Sequence, residues 1–231
     1  MSVIAKHVPG EEISIRDVFS IMLEAMGPSH WWPAESRFEI MVGAVLTQNT
    51  AWGNVARSLD ALKQARVLEP DAMLSLDPGD LQELIRPSGF QKNKSRALHD
   101  LCAWYGDRCG FRPEGAEGIE DEELRSELLS VFGVGGETAD DLLLYVFDRE
   151  AFIADTYARR LFGFLGQDVP KGYEAFRNRM LPEVRSYAFT VVELQEFHGL
   201  IDQYGKSHRS PEAMKESFLG SYAARFGVIS G

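Results

Sequence analysis

Apolar residues recur at helical spacing along most of the chain, and no segment shows the strict alternation that is typical of a β-strand. No repeat or flexible linker separates the apolar segments. The chain is therefore predicted to be all-α. The pattern predicts helices over residues 13–26, 36–46, 51–65, 92–105 and 124–131, a short helix from 77, helices that begin at 137 or 138 and near 156, and helices over 173–180, 186–204 and 211–226.

Glycines interrupt the apolar pattern in residues 132–136, Phe-Gly-Val-Gly-Gly, between two of the predicted helices. We expect Gly133 and Gly135 to adopt positive φ angles and to expose the backbone amides of a tight hairpin. Beside the N-terminus of the following helix, such amides bind a phosphate without the help of any particular side chain. The sequence thus predicts a phosphate-binding hairpin between two helices.

Three polar residues precede predicted helices, and we interpret each of them as an N-cap: Ser36, Thr50 and Asp155. Asp155 follows a short apolar run and lies about twenty residues beyond the hairpin. At a helix N-terminus its carboxylate is expected to stay ionised, because the partial positive charge and the N–H groups there favour the charged form.

The formal net charge of −11 argues against a protein that coats nucleic acid without specificity, because such binding depends on many lysine and arginine contacts to phosphates. Nucleic acid would have to be bound locally. The hairpin amides, together with Lys92, Lys94 and Arg96 at the start of one predicted helix, offer a small set of contacts. We expect such binding to be weak and salt-sensitive.

Two cysteines, Cys102 and Cys109, are too few for a disulfide framework or a four-cysteine metal cluster, and we interpret them as reduced thiols. The histidines show no partners with ligand-like spacing, so no metal site is assigned. The N-terminus lacks a signal pattern, and no apolar run is long enough to cross a bilayer. We therefore expect a cytoplasmic protein that does not contact a membrane.

The hairpin, the aspartate that follows it and the sequence Leu-Thr-Gln-Asn-Thr at 46–50 resemble the helix-hairpin-helix DNA glycosylases typified by endonuclease III. The resemblance covers most of the chain. It implies a barrel-like helical domain at 36–149, a second helical domain made of 1–35 and 150–231, and a DNA-binding cleft between them. It also implies that the protein is a monomer and that it binds damaged double-stranded DNA. When bound to DNA, the protein would be associated with the bacterial nucleoid.

The same resemblance assigns roles to individual residues. Asp155 would be catalytic, because a fixed carboxylate stabilises the positive charge that develops on the sugar as an N-glycosidic bond breaks, and it can orient water. Its alternative is a cap alone, which is the commoner fate of such an aspartate. Gln48 would enter the duplex where a base has been flipped out, or else make an internal hydrogen bond. The other candidates for DNA contact are Gly133, Gly135, Lys92, Lys94 and Thr138.

Two departures from endonuclease III are informative. Where relatives with lyase activity have a lysine just after the hairpin, this chain has Glu137, which cannot form a Schiff base. The four C-terminal cysteines that hold an iron–sulfur cluster in endonuclease III are also missing. Both features, with WWP at 31–33, RPSGF at 86–90 and FHGLIDQYGK at 197–206, are similar to the bacterial 3-methyladenine DNA glycosylase III branch, which is monofunctional and removes alkylated purines.

Candidates for the base pocket follow from the charge of the lesion. An N3- or N7-alkylated purine is already cationic, so a mostly aromatic pocket suits it. Trp31, Trp32 and Trp52 are therefore candidates. The resemblance adds Lys206, which matches a lysine that lines the base pocket in that branch, and Glu137 is a further candidate for a pocket contact. Each has a structural alternative: the tryptophans as core, Lys206 as a solvated lysine at a helix C-terminus, and Glu137 as a favourable acid in a first turn.

We expect a monofunctional DNA glycosylase that excises 3-methyladenine-like purines from duplex DNA by base flipping and hydrolysis. No cofactor and no iron–sulfur cluster are expected. Whether a monovalent cation binds to carbonyls of the hairpin is left open by the sequence. Two alternatives remain. One is a bifunctional endonuclease III-like glycosylase and lyase, and the other is a non-catalytic helix-hairpin-helix module that binds DNA.

Overall fold

The computed structural model describes residues 12–227, and in that range every regular element is helical apart from one isolated bridge between Ile13 and Phe226. The all-α prediction is confirmed. Twelve α-helices lie within the described range: α1 (Ile15–Met26), α2 (Arg37–Leu46), α3 (Trp52–Gln64), α4 (Pro70–Ser75), α5 (Pro78–Leu84), α6 (Gln91–Cys109), α7 (Asp121–Ser130), α8 (Gly136–Tyr145), α9 (Thr156–Phe164), α10 (Tyr173–Ser186), α11 (Val191–Ser207) and α12 (Pro211–Glu216). Short 3₁₀ helices cover Arg86–Ser88, Pro113–Ala116 and Gly220–Tyr222.

The chain folds into two compact units. The central unit is Trp32–Ala151, and the discontinuous unit combines the chain up to Trp31 with the chain from Phe152 onward. Among the helices of the described part of the chain, none combines the length and the hydropathy needed to cross a membrane.

Helix α2 lies in the core of the central unit, where almost every residue from Phe38 to Leu46 is buried. Ser36 caps it as predicted, because its hydroxyl accepts a hydrogen bond from the backbone N–H of Glu39. Helices α7 and α8 flank the glycine hairpin, and α8 is buried from Thr138 to Tyr145. A buried helix therefore begins directly at the hairpin.

Aromatic rings fill much of the core of the discontinuous unit. Phe162 on α9 makes an edge contact with Phe197 on α11, with ring centroids 6.4 Å apart. Farther along the same two helices, Gly205 lies against Tyr157, where any Cβ would clash with the ring. A glycine is needed here so that α11 can approach the N-terminal half of α9 closely.

Several predicted helix limits are wrong. Helix α10 continues through Pro182 to Ser186, and α11 starts only at Val191, where Thr190 and Glu193 form a capping box. The last predicted helix ends early, at Glu216, because the chain turns back at Gly220, where a Cβ would clash with the carbonyl of Lys215. These limits depend on contacts that apolar spacing does not report.

Candidate DNA-binding and catalytic site

The two hairpin glycines differ in conformation. Gly133 has φ +78°, as predicted, and a Cβ at this position would lie only 2.7 Å from Cβ of Ala97 on α6. Gly135 has φ −95° and ψ 179°, so the prediction of positive φ there is wrong. Gly135 is instead the N-cap of α8, and the extended backbone of an N-cap suits any residue. A Cβ added to it would meet open space.

The N-terminus of α8 has the geometry of an anion site. Its cap residue is a glycine, which has no side chain that could accept a hydrogen bond from the first turn. The first N–H groups of an α-helix have no acceptor within the helix, so here they point outward with the positive end of the helix dipole. Both Gly133 and Gly135 are exposed, which leaves the hairpin backbone accessible to a phosphate.

Alanine at Gly133 should mainly lower the stability of the protein, whereas alanine at Gly135 should mainly lower its affinity for DNA. Gly133→Ala is expected to destabilise the protein by about 2–4 kcal/mol, because a left-handed backbone and a clash with α6 are combined. Gly135→Ala should cost less stability, roughly 0.5–1 kcal/mol, because alanine is a poorer N-cap than glycine, but it should weaken DNA binding, since its methyl group would cover the amides. Urea unfolding followed by circular dichroism and binding to a duplex, measured on both variants, check this. Equal loss of stability in both would contradict it.

Gln48 connects the loop after α2 to the hairpin. Its Nε2 donates to the carbonyl of Gly133 and to Oγ1 of Thr138, both at 2.9 Å. This is the internal hydrogen bond that the sequence left as the alternative, and entry of Gln48 into DNA stays a prediction. Thr138 is 4% exposed, and its hydroxyl accepts the hydrogen bond from Gln48, so a DNA contact of its side chain stays a prediction.

The two lysines at the start of α6 also have different surroundings. Lys92 is exposed and can reach a phosphate. Lys94 is 3% exposed, and its Nζ donates to three protein oxygens. All three ammonium protons are thus used inside the protein, and the contact of Lys94 with the DNA backbone stays a prediction. One of the acceptors is Thr50, which for that reason does not cap α3; the N-cap is Ala51, without a side-chain bond.

A surface cavity of about 220 Å³ lies beside the hairpin. Its lining includes Gln48, Asn49, Phe90, Asn93, Phe132 and Gly133. Phe90 is 63% exposed and has φ +49°, and Asn49 has φ +52°. Phe90 and Asn49 were not predicted from the sequence as functional candidates. A signal was present for Phe90, since an aromatic residue between a glycine and the polar first turn of a helix has no apolar partner nearby in sequence.

Asp155 is the N-cap of α9, as predicted. Its Oδ1 accepts a hydrogen bond of 2.7 Å from the N–H of Ala158, and the residue is 8% exposed. The preceding run from Ala151 to Ala154 is buried, and the N–H of Ala154 donates to the hydroxyl of Tyr173. A buried strand-like segment and a cap bond thus fix the carboxylate on both sides. Its catalytic role stays a prediction.

The aromatic pocket candidates belong to different units. Trp32 and Trp52 lie in the central unit with ring centroids 6.0 Å apart, and Trp32 also meets Tyr145 edge-on at 5.4 Å. Trp32 packs over Gly43, where a Cβ would be 3.4 Å from the indole. All three rings are thus part of one aromatic cluster, and Trp32 and Trp52 keep partial exposure.

Trp31 and Lys206 come together in the discontinuous unit. The Lys206 Nζ lies 5.0 Å from the centroid of the Trp31 ring and 2.7 Å from Oδ2 of Asp202. Burial raises the pKa of Asp202, and the hydrogen bond from Lys206 opposes this shift. Burial, with the nearby Lys206 charge, lowers the pKa of His198 to about 3. A neutral histidine and an ion pair therefore follow one another along α11.

Glu137 lies in the first turn of α8, directly after the hairpin. Burial raises the pKa of its carboxyl above the ordinary value, although part of the residue remains exposed to solvent. A carboxyl group thus occupies the position next to the proposed phosphate site.

The cysteines do not fit an iron–sulfur cluster. The whole sequence contains two, Cys102 and Cys109, and both are buried on α6, where burial raises the pKa of each thiol. Four thiolates are needed for such a cluster. Within residues 12–227, no three histidine, cysteine, aspartate or glutamate side chains come together as a metal site.

The chain belongs to the HhH-GPD superfamily of base excision DNA repair proteins, whose family model matches residues 42–186. The recognition of a helix-hairpin-helix glycosylase is thereby confirmed. The protein is a DNA N-glycosylase of base excision repair.

Relatives support this assignment. The chain is 38% identical over 206 residues to MJ1434, a provisionally assigned DNA repair glycosylase of Methanocaldococcus jannaschii, and the match covers 87% of this chain and 90% of that protein. Endonuclease III of Thermotoga maritima is 27% identical over 150 residues, which is 63% of this chain and 66% of the relative.

The solved structures include the Helicobacter pylori 3-methyladenine DNA glycosylase MagIII bound to 1,N6-ethenoadenine. It matches with a TM-score of 0.73 and 26% identity, over 84% of this chain and 98% of that one. A non-covalent endonuclease III–DNA complex matches with a TM-score of 0.70 over 89% of this chain and 92% of the other, at 20% identity, and so supports the fold.

Proposed function

We propose that the protein is a monofunctional glycosylase that removes alkylated purines from duplex DNA and leaves an abasic site with an intact backbone. The observation that carries this proposal is Glu137 in the first turn of α8. A lyase step needs an amine that attacks the sugar and forms a Schiff base, and a carboxyl group cannot do this. The reaction would then end after hydrolysis of the glycosidic bond.

The choice of alkylated purines has two supports. The Helicobacter pylori 3-methyladenine glycosylase is similar in sequence and fold, and its structure holds an alkylated adenine derivative. The partly exposed Trp32 and Trp52 rings could stack on a cationic base, which gains about 1–2 kcal/mol over a desolvated indole. A third indole, that of Trp31, already has a cation near its ring, because the Lys206 Nζ lies 5.0 Å from its centroid.

Asp155 would act on the sugar and not on the base. A cationic purine leaves without much help from a general acid, so the main barrier is the developing charge on the sugar. A carboxylate fixed by its cap bond is already in place to stabilise that charge and to orient or deprotonate water. We further propose that the protein works as a monomer and without an iron–sulfur cluster.

A panel of duplexes, each with one lesion, tests the proposal. We expect release of free base from duplex containing 3-methyladenine or a related alkylated purine, with strand breaks only after alkali. Borohydride should trap no covalent protein–DNA complex. Strand cleavage without alkali and a borohydride-trapped complex would overturn the monofunctional assignment, and release restricted to oxidised bases would overturn the substrate class.

A further inference from the structure

Lys94 joins three separate stretches of the central unit at one buried point. Its Nζ donates to the carbonyl of Leu46 at 2.9 Å, to Oγ1 of Thr50 at 2.7 Å and to the carbonyl of Ser88 at 2.8 Å. Burial lowers the pKa of this amine to about 8, so at neutral pH it is mainly an ammonium. Three protons then meet three acceptors, and none is left for DNA.

The three acceptors lie close in sequence to two residues with a left-handed backbone, which asparagine tolerates but phenylalanine does not. Asn49, between Leu46 and Thr50 in the chain, has φ +52°, and Phe90, two residues after Ser88, has φ +49°. A left-handed backbone is costly for a bulky residue and persists only where the surrounding structure holds it. Thr50 also donates to Ser88 at 2.7 Å, so the two loops are bound to each other as well as to the ammonium.

These two loops carry three of the residues that line the surface cavity, and Lys94 also contributes to the lining. Gln48, Asn49 and Phe90 line it, and Gln48 in turn binds the hairpin through Gly133 and Thr138. A chain of direct hydrogen bonds therefore runs from the hairpin to Gln48, and the Lys94 ammonium holds the loop of Gln48 against the turn that precedes Phe90. The exposed Phe90 ring is a suitable wedge between bases, and a polar amide suits the space left by an extruded base.

We propose that Lys94 is a positioning residue that holds the Gln48 loop and the Phe90 turn in one fixed arrangement, so that both side chains enter a damaged duplex together. The inference rests on the proposed function only in that the protein must engage DNA with a displaced base; it does not depend on which base is excised. Lys94 itself contacts no phosphate. Its charge acts inward, on the loops, and not outward, on the DNA.

The test compares Lys94→Met with Lys92→Met, which removes the same charge two residues away on the exposed side of α6. Both variants and the wild type are titrated with undamaged duplex and with duplex containing a tetrahydrofuran abasic analogue, over a range of salt concentrations. Lys92→Met should lower the affinity for both duplexes by the same factor. It should also reduce the slope of log affinity against log salt concentration by about one. Lys94→Met should leave this slope unchanged. The ratio of its affinities for abasic and undamaged duplex should be about ten- to a hundredfold lower than that of the wild type.

Fluorescence of 2-aminopurine placed opposite the abasic analogue adds a direct signal of insertion. We expect it to rise on binding of the wild type and of Lys92→Met, and to change little with Lys94→Met. If Lys94→Met does not fold, Thr50→Val takes its place, because it keeps the lysine and removes one acceptor with almost no change of volume. It should lose part of the same preference.

Three results would overturn the proposal. They are a wild-type protein with no preference for the abasic duplex, a Lys94→Met or Thr50→Val variant that keeps the wild-type preference, and an equal loss on both duplexes. The assay needs no base release. A wild-type protein that binds the abasic duplex but releases no alkylated purine would therefore refute the proposed substrate class and leave this test valid.

Discussion

Asp155→Asn is expected to lower the single-turnover rate of base release by about 10²- to 10⁴-fold, the range that general-base and electrostatic groups contribute. The substitution removes the negative charge that would stabilise the sugar in the transition state. It keeps the cap, because the asparagine side-chain oxygen can accept the same bond from the N–H of Ala158. The rate is measured on the lesion that the wild type excises best, with enzyme in excess.

Matched variants separate the cap from the catalytic charge. Asp155→Asn should unfold at nearly the wild-type urea concentration, whereas Asp155→Ala should lose about 1 kcal/mol through the missing cap. If the charge is what matters, both variants lose activity to the same extent despite their different stabilities. If Asp155→Asn kept the full rate while Asp155→Ala lost it, the residue would be a cap alone and the proposed mechanism would be wrong.

Local features of the site could be predicted because their causes are local. Asp155 and Ser36 lie next to apolar helices in the sequence, and each accepts the N–H three residues on. Gly133 likewise stands where one helix must stop and another begin. The conformation of Gly135 could not be predicted in this way, because the sequence does not distinguish the two glycines of one hairpin. They differ only in the folded protein, where Gly133 packs against Ala97 and Gly135 is the N-cap of α8.

Long-range hydrogen bonds could not be predicted. Thr50 precedes a helix and has a hydroxyl group, which is the usual mark of an N-cap, but Lys94 takes that hydroxyl from 44 positions away. Lys94 in turn follows an exposed lysine, Lys92, by two residues, and charge alone cannot tell which of them points inward. Apolar spacing identifies the face of a helix that is buried, whereas it does not reveal a polar partner that fills a gap in that face.

The distribution of the candidates over the two units has a consequence for experiments. Gln48, the hairpin and the Lys94 cluster lie in the central unit, and Asp155 lies in the discontinuous unit. Variants of the first group should therefore change binding to an abasic duplex, which needs no chemistry, and Asp155→Asn should leave that binding intact. Measuring both the affinity for abasic duplex and the rate of base release for each variant separates DNA binding from cleavage of the glycosidic bond.

A second large effect is expected at the buried ion pair that joins the two helices of the hairpin motif. Arg125 on α7 donates through Nε to Oδ1 of Asp140 on α8 at 2.8 Å and through Nη2 to Oδ2 at 3.2 Å. The two side chains are 8% and 0% exposed. Arg125→Met should destabilise the protein by about 3–5 kcal/mol, because a buried carboxylate loses its guanidinium partner. Urea unfolding followed by circular dichroism measures the change.

Arg108→Met is the matched control, since Arg108 pairs with Glu127 of the same helix α7 but lies near the surface, with 39% and 28% of the two side chains exposed. Its urea midpoint should barely change, because solvent screens such a pair. The double variant Arg125→Met/Asp140→Leu should regain much of the lost stability, as apolar pairs of similar volume can replace buried ions. An equally small effect of Arg125→Met and Arg108→Met would show that apolar packing, and not the ion pair, holds α7 and α8 in the geometry that presents the hairpin.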